Sequence, residues 1–215
     1  MRLQRDSEET FTTAEAAVIL TMAGNDAGAH VTKRAVDSVI GKQLFPAGAM
    51  RRRRRQRSLT ATGLMIVATE FTLRRELPVT ALRKRVYQAM LHQHAAEGRI
   101  PAGETVTVNV EAPLARMAQA LDRFRNLMAL IEVNPEVQRG EPVLRGTRVT
   151  VATIAALAEG GTPVAEILRH YPSITAEQIE AAGAYAKAHP RRGRPSLPTG
   201  GKVLTRISVN DLKAG

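Results

Sequence analysis

The chain contains no cysteine and no tryptophan. Disulfides, thiol nucleophiles and cysteine-ligated zinc sites are therefore excluded. Aromatic residues make up only 3% of the sequence, while apolar residues reach 44%. A core has to be built from Ala, Val, Leu, Ile and Met. That favours small helical domains, because strands draw on aromatic and β-branched side chains. Long apolar runs are missing too. "GLMIVA", from Gly63, is the longest, and it falls far short of a membrane span. The opening "MRLQRDSEETF" has no apolar stretch of the kind a signal peptide needs, so a cytoplasmic protein is expected. Negative charge is scarce: 31 Lys and Arg face 20 Asp and Glu, a net charge of +11. That excess points to an anionic partner, nucleic acid first. A length of 215 residues suits one or two domains.

What is present reads mainly as helix. "TTAE" is a capping box with Thr12 as N-cap and Glu15 at N3. Ala16, Ala17, Val18 and Leu20 follow in helix, and "TMAGNDAG" reads as a turn. A second helix is expected from Ala29 to Ile40, with Val31, Ala35 and Val39 on its inner face. His30, Thr32, Lys33 and Arg34 lie near its start. Two short helices around a glycine-bearing turn fit a DNA-binding helix-turn-helix, and equally an ordinary αα-hairpin. Directly afterwards, Arg51, Arg52, Arg53, Arg54, Arg55 and Arg57 fill six of seven positions. Such a run is either a solvated loop that repels itself or a phosphate clamp or wing beside the DNA helix.

A helix follows from Thr60 to about Arg75, with Leu64, Met65, Ala68 and Phe71 at helical period. Another follows Pro78, with Leu82, Val86 and Met90 inward and Gly98 as its stop. His92 and His94 are two apart and face apart on a helix, so they read as solvated or packing residues. "ETVTVNVEA" alternates, placing Val106, Val108 and Val110 on one face of a strand. Its partner is expected near Ile131 or Val143, or in a second subunit. A helix from Leu114 to about Leu130 turns Leu114, Leu121, Phe124 and Met128 inward. Short strands and a loop then lead to three helices: about Val151 to Ala158, Val164 to His170 and Ala176 to Ala188. Pro163 follows Thr162 at the start of the second, and Thr175 or Ser173 caps the third.

The fold class expected is thus mainly α with minor β. The chain divides into a helix-turn-helix region with its Arg run (1–57), a connecting or dimerisation region (58–125), a trihelical domain (126–190) and a basic tail (191–215). No metal-ligand spacing, Walker loop, dinucleotide glycine pattern or catalytic triad is present, so neither enzyme activity nor a cofactor or metal is expected.

"NPEVQRGEPVLRGTRVTVATIAALAEGGTPVAEILRHYPSITAEQIEAAGAYA" carries a resemblance. It resembles the small homeodomain-like domain, of unknown function 433, in VapB-type antitoxins. The shared features are Gly140, Pro142, Gly146, Thr147 and Arg148, the Gly160–Gly161 separator, and Tyr171, Pro172 and Thr175. The resemblance implies a type II toxin-antitoxin module, in which the antitoxin neutralises a PIN-domain ribonuclease toxin and represses its own operon. A helix-turn-helix transcription regulator without a toxin is the alternative. In the first reading His30, Thr32, Lys33, Arg34 and the arginines from Arg51 to Arg57 meet operator DNA, with the protein as a homodimer or toxin-antitoxin hetero-oligomer. The tail residues Arg191, Arg192, Arg194, Val203, Leu204, Arg206, Ile207 and Val209 meet the acidic toxin site. Gly146 is expected to permit a tight turn, and Arg148 to bond nearby carbonyls or Glu141.

Overall fold

Thr12 starts the first helix as its neighbours predict. Its Oγ1 accepts from the Glu15 amide at 3.2 Å, and its own amide donates to Glu15 Oε2 at 2.7 Å. The computed structural model describes residues 9–24, 30–42, 45–53, 56–92, 98–104 and 106–190, with the side chains of 52–56 outside the description. Among the described residues the fold is mainly α with minor β: eight α-helices and three small antiparallel sheets.

The first half runs β1 (Thr10–Thr12), α1 (Thr13–Ala23), α2 (Lys33–Gly41), β2 (Met50–Arg53), β3 (Gln56–Thr60), α3 (Ala61–Glu76) and α4 (Thr80–His92). The strands form one sheet in the order β1-β3-β2. Arg51, Arg52, Arg53 and Arg57 therefore lie in two paired antiparallel strands, a hairpin ribbon, rather than in a loop. The helix α2 begins later than its apolar spacing suggests. Thr32 caps it, and its inner face is Val36, Val39 and Ile40, with Ala35 only half-buried. Val31 is buried, but ahead of the helix. The expected turn at "TMAGNDAG" also starts later, because α1 continues through Thr21 and Met22 to Ala23.

The second half runs β4 (Arg99–Pro101), β5 (Thr107–Asn109), α5 (Glu111–Ala129), β6 (Ile131–Glu132), β7 (Val143–Leu144), α6 (Val151–Glu159), α7 (Val164–His170) and α8 (Ala176–Ala188). The partner of β5 is β4, with Ile100 opposite Val108, and not the segments at Ile131 or Val143. Those two segments pair with each other, Ile131 with Leu144 and Glu132 with Val143. Val106 is exposed, whereas Val110 is buried. The helix α5 starts before Leu114 and buries Met117, Ala120, Leu121, Phe124 and Leu127.

Two apolar cores result. One joins α4, β4 and part of α3 through Ile66, Val86, Tyr87, Met90 and Ile100. The larger is continuous from the first helices to the last. Ile19, Leu59, Val67, Phe124, Ile154 and Ile179 all belong to it. The helix α5 packs on α1, α3 and α8, and α1 itself packs on α8. The strand β3 runs through residue 57 and α5 through residue 125.

The backbone of α3 comes so close to the hairpin's base that only glycine fits at one position. A Cβ on Gly63 would stand 2.1 Å from the Ala49 carbonyl oxygen. Thr60 closes the same corner, accepting from the Gly63 amide at 3.0 Å and donating to Ala49 O at 3.2 Å.

The GTR segment is a turn after β7. Gly146 holds φ at +76°. Thr147 Oγ1 donates to Leu144 O at 2.8 Å and accepts from the Val149 amide at 3.1 Å. The Arg145 carbonyl accepts from Gln178 Nε2 at 3.0 Å, which fastens the turn to the start of α8. There Thr175 and Gln178 form a second capping box. The bonding expected of Arg148 is thus supplied by Thr147, and Arg148 is exposed. Tyr171 packs half-buried against the main core, and Pro172 is exposed.

A side chain at position 146 would meet no atom within 4 Å, so only the backbone opposes it. Gly146→Ala is expected to cost about 1–2 kcal/mol in denaturant unfolding. Gly146→Asn, which tolerates the left-handed conformation, should cost less.

Candidate nucleic-acid interface

The helix α1 is the shelf on which the basic elements stand. It packs on α2, β1 and β3. Thr21 ties the approach to α2 onto it: Oγ1 donates to Ala17 O at 2.8 Å and accepts from the Val31 amide at 3.1 Å. With Val36, Val39 and Ile40 turned inward, the start of α2 remains outside. His30, Thr32, Lys33 and Arg34 are all exposed. Thr32 Oγ1 also accepts from the Ala35 amide at 3.2 Å, so its hydroxyl has a capping role besides any contact outside. Lys33 Nζ sits 2.7 Å from Asp37 Oδ2, an exposed pair. Such a pair contributes only about 0–1 kcal/mol and is readily exchanged for another anion. Arg34 has no ion pair among the described residues.

The register of the hairpin sets the faces of its arginines. Met50 opposes Leu59, Arg51 opposes Ser58, Arg52 opposes Arg57 and Arg53 opposes Gln56. Successive residues of a strand point to opposite faces. Arg51 and Arg57 are both exposed and stand on opposite faces of this ribbon. Arg52 and Arg57 are register partners. The side chains of Arg52 and Arg53, and all of Arg54 and Arg55, lie outside the described residues, as do His94 and every tail residue from Arg191 to Val209. The structure thus brings His30, Thr32, Lys33, Arg34, Arg51 and Arg57 onto one packed unit. It does not place the tail relative to them.

The trihelical part has a counterpart among known families. A family model described as "Protein of unknown function (DUF433)" matches residues 131–186. The match begins at β6 and ends within α8, so it takes in the GTR turn and all three helices. An uncharacterized protein, y4eO, of Sinorhizobium fredii (strain NBRC 101917 / NGR234) is 33% identical over 106 residues, covering 47% of this chain and 48% of that protein. The chain therefore spans about half the length of the curated relative it matches. No solved structure matches the chain.

A buried charged cluster, not anticipated from the sequence, holds the far end of α2. Glu70 on α3 is 1% exposed. Tyr87 donates to its Oε2 at 2.5 Å, and Arg83 Nε lies 3.1 Å from the same oxygen. Arg83 Nη1 donates to the carbonyls of Leu77 and Pro78 at 2.6 and 2.9 Å. Lys42, the residue that ends α2, places Nζ 3.7 Å from Glu70 Oε1. Arg83 Nε and Glu70 Oε1 are close to opposite charge yet lack aligned hydrogen bonds, so attraction here is Coulombic. Two signals for this cluster are visible in the sequence: a lone Glu70 within "MIVATEF", and Arg83 with Tyr87 at i, i+4. Among the described residues no three His, Asp or Glu come together as a metal site, and no helix is long and apolar enough to cross a membrane.

Burial, with the Glu70 carboxylate as its hydrogen-bond partner, pushes the Tyr87 phenol well above its ordinary pKa of 10.0. The unfolded chain then loses this proton first as pH rises. The contribution of Tyr87 to stability is complete below pH 10 and declines above it. Tyr185 is raised as well, by burial and by Glu15. In urea titrations from pH 8 to 11, Tyr87→Phe should lessen, not abolish, the alkaline loss of stability. An unchanged slope would mean that Tyr87 titrates normally.

Proposed function

We propose that this chain is a DNA-binding antitoxin. It neutralises a PIN-domain ribonuclease toxin and represses its own operon, binding operator DNA as a dimer in the cytoplasm. It is a binding protein, not an enzyme. The observation that carries the DNA part is the hairpin. Arg51 and Arg57 are exposed on opposite faces of its strands, so both faces carry positive charge. A polyanion laid against the ribbon neutralises that charge. The exposed start of α2 is the end of a recognition helix that usually reaches base edges. Both elements are braced by α1 against the trihelical segment. The toxin part is supported by the GTR and Tyr-Pro motifs and by the basic tail.

A transcription regulator without a toxin is the second reading. A groove between α1 and α8, large enough for a small effector, favours it.

Two measurements test the proposal. Replacing Arg51 and Arg57 by Ser should flatten the plot of log K against log salt by about 2, because two fewer phosphates are neutralised. Arg34→Ala, by contrast, should cost about 1–3 kcal/mol on the operator and little on random DNA. An unaltered salt slope would leave the hairpin without a role in DNA binding.

For the toxin, the assay is cleavage of RNA by the cognate nuclease, titrated with full-length protein. Reversing the charge of Arg191, Arg192 and Arg194 should weaken inhibition at least about tenfold, since several charge-assisted hydrogen bonds can no longer form, with operator binding retained. Equal inhibition would move the toxin-binding surface onto the folded body.

A further inference from the structure

The groove beside α2 has the properties of a ligand site. Its volume is about 740 Å³, within the range of roughly 300–1,000 Å³ occupied by small-molecule sites. Its floor is apolar and preformed: Ala17 and Val18 of α1 face Ile179 and Ala184 of α8 across it. Most of the lining is helical, and helix main-chain groups bond within themselves. An extended peptide would find few free main-chain groups there, so the floor suits a compact apolar body.

The rim is charged, and its charges are not balanced. Glu180 lines the groove but is held by Arg123 at 2.5 Å. Lys33 is held by Asp37 at 2.7 Å. Lys187 also lines the groove, is exposed, and has no ion pair among the described residues. His30 adds a further donor at the same rim. Among the described residues, Lys187 is thus a cation without an anion at the edge of an apolar cleft.

We propose that this groove binds an amphipathic small molecule with an apolar body and a single anionic group, a medium-chain or aryl-substituted carboxylate, whose charge meets Lys187. The site draws on α1 and the approach to α2 on one side and on α6 and α8 on the other. Its occupant therefore bridges the two halves of the chain. The proposal stands on the groove and does not depend on the toxin or DNA readings.

Position 183 allows a clean test. Gly183 lines the groove, and a Cβ there meets no atom within 4 Å. Leucine is also a better helix former than glycine. Gly183→Leu should fold, which its melting curve checks, while filling the cleft. The probe is decanoate below its micelle concentration, titrated calorimetrically into full-length protein, with decanol and decyltrimethylammonium as neutral and cationic comparisons. Saturable binding of decanoate at one site per chain is expected, with weaker binding of decanol and weakest binding of the cation. Lys187→Gln should weaken decanoate by about threefold, the scale of an exposed ion pair. Gly183→Leu should weaken it at least about tenfold, since the alkyl chain is then shut out of the apolar floor. Absence of binding would overturn the proposal, as would equal binding of the three probes or binding that survives Gly183→Leu. If decanoate does not bind and Gly183→Leu instead dissociates a dimer in sedimentation, a second copy fills the groove and the proposal also fails.

Discussion

Burial of α1 is the constraint on which the rest of the fold depends. Its sequence, TAEAAVILTMA, has apolar residues on every side, and seven of its residues, from Thr13 to Leu20, are buried. A helix apolar all round has to be enclosed. No single neighbour can do that, so α2, the β1-β3 ladder, α5 and α8 each cover one side. The low aromatic content is part of the same solution. Ala14, Ala16 and Ala17 let neighbouring helices approach closely, and Val18, Ile19 and Leu20 fill the remaining space. The basic elements and the trihelical segment are consequently two surfaces of one core.

The parts legible in the sequence were those set by local chemistry. Thr12–Glu15 fixes the start of α1 within four residues, and of the two caps offered for α8 the structure uses Thr175, with Gln178 completing the box. The helices α6, α7 and α8 lie close to their expected bounds, since glycine and proline punctuate them. Pairing between distant segments was not legible. Arg99–Pro101 is three residues long, with no alternation to mark it as the partner of β5. Its place is set by Ile100, which packs into the smaller core. Periodicity similarly gave an inner face for α2 but misplaced it, because Val31 is buried by the approach to the helix rather than by the helix itself. At the candidate site the exposed cations were readable by type and position. The Glu70 cluster was not read, because a buried carboxylate is defined by partners that the linear sequence scatters over Lys42, Arg83 and Tyr87.

The GTR motif carries shape rather than reaction chemistry. Gly146 turns the chain, Thr147 bonds across the turn, and Gln178 holds it from α8. Every one of these bonds has a backbone carbonyl or amide as one partner. The side chains left outside, such as Arg145 and Arg148, are exposed. A recognisable sequence pattern thus arises from the shaping and bonding of a backbone turn, while the surface around it is free to differ in charge.

The contact between α1 and α8 has a consequence for biosynthesis. The first helix ends at Ala23 and the last at Ala188. A ribosome adding about 5–20 residues per second needs roughly 8–33 s to cover that interval. For much of that time this apolar helix is out of the exit tunnel without its final cover. Until α8 is made, that surface is open to contacts with other chains, and slower synthesis lengthens the exposure.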